Sequence, residues 1–140
     1  MWRRFLSLVL LAVLTAASGV NAQGAVKKAS SILAEATWAF DTHEDRNGYP
    51  RTNVFLVVGG RRVLVRRNVI AQFTVVAPED YRSHSVPATA IAACQGWWAG
   101  GGEDLYVIRR NQQLIVFIRY IDEGIEPGRF RRLKVISSSR

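Results

Sequence analysis

Cysteine and histidine are scarce in this sequence, and its acids are outnumbered by its bases. Cys94 is the one cysteine among 140 residues. No disulfide can therefore form within the chain, and stability has to come from apolar burial. The histidines are two, His43 and His84. A thiol nucleophile needs a base that lowers its pKa and a third group that orients that base. Both histidines precede Cys94, whereas papain-like chains place the base downstream, so Cys94 reads as a small core residue. The same scarcity leaves no zinc spacing. "HEDRNG", opened by His43, Glu44 and Asp45, looks like the start of a calcium loop. It has His43 where the first aspartate belongs and Val54 where the closing glutamate belongs. No metal and no cofactor is expected.

Long apolar runs are scarce too, and the one present lies at the start. Arg3 and Arg4 form a positive n-region, Phe5 to Ala17 an apolar stretch, and Val20-Asn21-Ala22 a small-x-small cleavage site. A bilayer span takes about 20 residues, so residues 1–22 read as a cleaved signal peptide. The paired arginines fit the twin-arginine route, without further support beyond the pair. Gln23 stands where a lipid anchor would need cysteine. A periplasmic or secreted protein follows, with no transmembrane segment after cleavage.

The remaining chain, 23–140, is one domain by length. Of 19 Lys and Arg, two lie in the signal, and all 11 acids lie outside it, so the mature charge is 17 − 11 = +6. That balance favours an anionic polymer as partner through long-range attraction. Charge of this kind also arises from arginine merely covering the surface. Pairs at 61–62, 66–67, 109–110 and 131–132 sit at expected strand ends, where they also blunt edges. No specific nucleic-acid motif is present.

From Ala25 to Phe40 the apolar spacing is helical, yet Ala36, Trp38 and Phe40 also alternate as in a strand. A short helix leading into a strand satisfies both. "TNVFLVV", "GG" and "RRVLVRR" read as a hairpin, because paired glycines accept positive φ. "NVIAQFTVV" continues as a strand to Pro78, after which one helical turn is expected. "ATAIAACQ", within 87–95, suits either a two-turn helix or a strand. "DLYVIRR" and "LIVFIRYID" form a second hairpin around Asn111, and "RFRRLKVI" adds a final strand before a loose tail, 137–140. Both hairpins are apolar on both faces, unlike one-sided sheets. The expected fold is mainly β (α+β): an antiparallel sheet or partial barrel built from two hairpins, with one or two short helices.

Function is less legible. "GGG" at 100–102 lacks the lysine and strand–loop–helix setting of a phosphate loop. Glu103-Asp104 opens one strand of the second hairpin and Asp122-Glu123 closes the other, so pairing brings the four acids together. Glycosidic cleavage needs two separated carboxyls, which two such pairs could supply. Alternatively these acids pair with Arg129, Arg131 and Arg132. Trp97 and Trp98 are consecutive, so on a strand they point to opposite faces. An exposed indole offers a stacking platform for a sugar or a partner's side chain, whereas buried indoles would close the sheet's open end. The preferred reading is an exported, non-enzymatic module that binds a protein or envelope glycan through Trp97, Trp98, Glu103, Asp104, Asp122 and Glu123. A small carboxylate-dependent glycan hydrolase and a structural, oligomer-forming envelope protein are the alternatives.

Overall fold

The structure, a computed structural model, describes residues 35–137. The signal segment, the helix expected before residue 35 and the tail beyond 137 lie outside the described residues. Eight strands follow in order: β1 (Ala36–Glu44), β2 (Pro50–Val58), β3 (Arg61–Ile70), β4 (Gln72–Val76), β5 (Ala92–Trp98), β6 (Gly101–Arg110), β7 (Gln113–Asp122) and β8 (Arg131–Ser137). They form a three-stranded sheet, β1-β2-β3, and a five-stranded sheet, β4-β5-β6-β7-β8. All ladders are antiparallel. The fold is mainly β with no closed barrel.

Three tight hairpin turns set the registers. Gly59-Gly60, Ala99-Gly100 and Asn111-Gln112 each hold positive φ at both positions. Turns of that kind twist the chain in the sense that neighbouring strands require. Of the three glycines at 100–102, only Gly100 belongs to a turn, and Gly101 and Gly102 begin β6.

Two readings left open by the sequence resolve as strand, and one expectation is corrected. Residues 36–40 are strand, with Ala36 and Trp38 buried on alternate positions, so strand spacing prevails there over helical spacing. Residues 92–98 are also strand, the alternative that fits a buried position between β4 and β6. The long strand expected over 68–76 breaks at Ala71. The Ala71 backbone N–H donates to the Val69 carbonyl, and the chain passes from one sheet to the other within that single residue. Thr52 secures the corner by donating its hydroxyl to the Ala71 carbonyl at 2.6 Å. Among the described residues helix is almost absent: the turn after Pro78 is a 3-10 turn, Pro78–Asp80.

The main core lies between the sheets, where Trp38, Val54 and Leu56 meet Phe73, Cys94, Leu105, Val116 and Ile118. A second cluster lies on the opposite face of the five-stranded sheet. There the β4–β5 connection lays Tyr81 and Val86 over Val76, Ala93 and Tyr106, and Phe130 packs edge-on against Tyr106. The five-stranded sheet is thus covered on both faces, which is why Leu105, Tyr106 and Val107 are buried in succession.

Candidate functional site

The end of β5, the start of β6 and the end of β7 lie side by side. Trp97 faces Gly102, Trp98 faces Gly101, Glu103 faces Tyr120, Asp104 faces Arg119, and Gly101 faces Asp122. Successive residues alternate faces, so the six residues singled out from sequence divide between two surfaces. Glu103, Trp98 and Asp122 belong to the inner face and Trp97 and Asp104 to the outer. Glu123 lies in the turn that follows, its carboxylate packed against Gly100. The four acids are brought near in sequence register, and their environments differ sharply. Asp122 and Glu123 are exposed, whereas Glu103 is 3% and Asp104 1% exposed.

Burying a carboxylate requires a partner, and each has its own arginine. Arg66 of β3 crosses from the other sheet to hold Glu103 in a two-pronged contact, with Nε to Oε1 at 2.9 Å and Nη2 to Oε2 at 2.8 Å. Glu103's hydrogen bonds raise the guanidinium's pKa against the opposing effect of burial. Arg119 holds Asp104 at 2.8 Å, donates to the His84 carbonyl at 2.7 Å and lies over the Phe130 ring. Asp104 Oδ1 has no hydrogen-bond partner, and His84 Nδ1 lies 3.6 Å from it. The partners expected from sequence, Arg129, Arg131 and Arg132, are not those of the buried acids. Arg131 instead donates to the Tyr120 hydroxyl. Arg119 leaves a trace in sequence, as a lone charge inside "LIVFIRYI". Arg66 leaves none, because its neighbour Arg67 is exposed.

Trp97 is 40% exposed and Trp98 half-buried. The Trp97 indole leans on Gly102: a Cβ there would stand 2.9 Å from the indole Cε3 and would collide with the Gly96 carbonyl. The Cε3 edge of the indole therefore lies close to the Gly102 backbone. On the β4 side of the indole the outer face carries uncharged polar side chains. Gln72 is the cross-strand neighbour of Trp97, and Thr74 that of Gln95, all four on the same side. Cross-strand neighbours on one face stand about 5 Å apart. The amides and the hydroxyl, which pattern reading overlooked, carry no charge or periodic signal of their own. Compared with known proteins, the chain matches no family model, no curated protein and no solved structure. Function is therefore read from geometry alone.

The remaining candidates are accounted for structurally. Asp45 closes its own loop, accepting from the Asn47 and Tyr49 backbone and from Arg51. The Tyr49 bond is the main reason its pKa is lowered. Among the described residues no group of three His, Cys, Asp or Glu is placed to hold a metal ion. No described helix is long and apolar enough to cross a membrane. A shallow groove of about 600 Å³ beside the β4–β5 connection is lined by Tyr81, Arg82, Val86 and a single acid, Glu79.

Cys94 is buried, and burial pushes its pKa well above the ordinary value, with Glu103 and Asp104 adding to the rise. The thiolate is the reactive form. Native protein should therefore resist an aromatic disulfide reagent at neutral pH and react fully once unfolded in urea. Prompt reaction of the native thiol would contradict this burial.

Proposed function

We propose that this protein is a non-enzymatic module that binds a neutral saccharide on the outer face of β4 and β5. The exposed Trp97 indole, its Cε3 edge close to Gly102 and its β4 side flanked by Gln72, Thr74 and Gln95, carries the reading. A flat indole stacks on the C–H face of a sugar ring, in the way aromatic side chains serve as anchors with one apolar surface and a polar surround. Neighbouring amides offer both donors and acceptors to hydroxyls. The fate of the acids supports binding over hydrolysis: Glu103 and Asp104 are each engaged by an arginine and point to opposite faces of β6. The export signal expected at residues 1–22 would deliver such a module to the envelope, where glycan is at hand.

The test is tryptophan emission of the protein and of its Trp97→Phe and Trp98→Phe variants, with iodide and then with neutral oligosaccharide fragments. Quenching that disappears with Trp97, and a glycan-dependent shift also lost with Trp97 at either of two salt concentrations, is the expected result. An emission unmoved by any fragment would overturn the glycan reading. Protection of Trp97 that grows with protein concentration would replace it by self-association.

A further inference from the structure

Trp97 is one of four residues in a row across the five-stranded sheet. Gln72 of β4 faces Trp97 of β5, Trp97 faces Gly102 of β6, and Gly102 faces Ile121 of β7. Ile121 shares the outer face, because Phe117, Arg119 and Ile121 alternate onto one side and Phe117 packs into the outer cluster. Gly102 has no side chain, and the Cε3 edge of the indole takes the space that one would fill. Trp97 and Ile121 stand two strand spacings apart, about 10 Å, and the indole edge reaches into that gap. Ile121 is half-buried, yet among the described residues it packs against neither hydrophobic core. The indole and Ile121 therefore form one apolar floor, with uncharged Gln72, Thr74 and Gln95 along its β4 side. The adjoining row carries two charges, Asp104 and Arg119, which are buried and bound to each other at 2.8 Å.

We infer that this floor binds an N-acetylhexosamine, with the sugar ring stacked on the Trp97 indole and the acetyl methyl on Ile121. The inference rests on the saccharide reading above and names the sugar. A pyranose with equatorial substituents presents flat C–H faces, which an indole matches. An equatorial acetamido group lies nearly in the plane of the ring. Its methyl therefore meets the same floor beside the indole, where Ile121 stands. A plain hexose has a hydroxyl in that place and would set an unpaired polar group against an apolar side chain. A uronic acid, or an amino sugar with a free ammonium, calls for a counter-charge, and Asp104 and Arg119 are already committed to each other. The side-chain amides of Gln72 and Gln95 supply donors and acceptors for the sugar's own amide and hydroxyls.

The experiment compares chitotriose with cellotriose, trimers that differ in carrying an acetamido group or a hydroxyl at one carbon of each ring, and with the deacetylated form of chitotriose. Binding is followed by calorimetry for the protein and for its Ile121→Thr, Ile121→Val and Trp97→Phe variants. Chitotriose should bind about tenfold more tightly than cellotriose, the scale set by one small apolar group in a fitted site. Ile121→Thr keeps a branched strand side chain and should bring the two to within about twofold by weakening chitotriose alone. Ile121→Val, the milder change, should lose only part of the preference. Trp97→Phe should weaken both trimers together. Equal binding of chitotriose and cellotriose would overturn the acetamido assignment while leaving the Trp97 surface as a saccharide site. Binding of neither would overturn both readings. A preference untouched by either Ile121 variant would overturn the seat of the acetyl group, and tighter binding of the deacetylated trimer would overturn the choice of sugar.

Discussion

Arg119→Ala is expected to lower stability by about 3–5 kcal/mol, because it strands a buried carboxylate without its counter-charge. Asp104 is 1% exposed, and its Oδ1 already lacks a hydrogen-bond partner. Loss of Arg119 would leave Oδ2 in the same state and release the His84 carbonyl that fastens the β4–β5 connection. Urea unfolding followed by circular dichroism measures the cost. The companion variant Arg119→Met/Asp104→Leu removes both charges and should recover most of the loss, since apolar replacements of buried pairs are commonly neutral or stabilising. A loss below about 0.5 kcal/mol for Arg119→Ala, the range of ordinary surface changes, would mean that water reaches Asp104.

Gly102→Ala should be comparably damaging, at about 3 kcal/mol, the upper part of the range for overpacking. Most added methyl groups are accommodated by a rotating neighbour. Here the obstacle is the Gly96 carbonyl, part of the backbone of the adjoining strand, and then the Trp97 ring. Relief requires the β5–β6 ladder to part or the indole to lift. The variant should therefore show both a lower urea midpoint and a change in Trp97 emission before unfolding begins. An unchanged midpoint with unchanged emission would show that the indole does not rest on Gly102.

How much of this was legible beforehand depended on whether a signal was local. The two expected hairpins are present, because Gly59-Gly60 and Asn111 declare their turns in the residues themselves. The third such turn was expected from the glycines at 100–102 but falls at Ala99-Gly100, a position that pattern does not single out because alanine rarely adopts positive φ. "ATAIAACQ" was undecidable by pattern because small residues fit a helix and the crowded centre of a sheet equally well. The break at Ala71 left no mark either, since it is dictated by how two sheets pack and not by any breaker residue.

The candidate site divided in the same way. That Trp97 and Trp98 would point apart followed from strand geometry alone. That Glu103 would be buried under an arginine 37 positions earlier in the chain could not be read from spacing, since Arg66 and Arg67 look alike in sequence. The nearness of Asp122 to Glu103 was correctly anticipated by pairing, but proximity along a ladder says nothing of which face a carboxyl takes or whether solvent reaches it.

Among the described residues every ladder joins strands that are consecutive along the chain. Each pairing therefore closes a short loop, which keeps the entropic toll of bringing strands together low and favours rapid assembly for an all-β chain. The distant encounters are left to side chains meeting face to face, Arg66 with Glu103 and Trp38 with the floor of the larger sheet. Assembly is thus divided into a local stage, in which two meanders knit themselves, and a closing stage, in which they fold together about Ala71 like a hinged book. A chain organised this way exposes its two apolar pages only until the hinge shuts, and its time at risk of sticking to its neighbours is set by that one event.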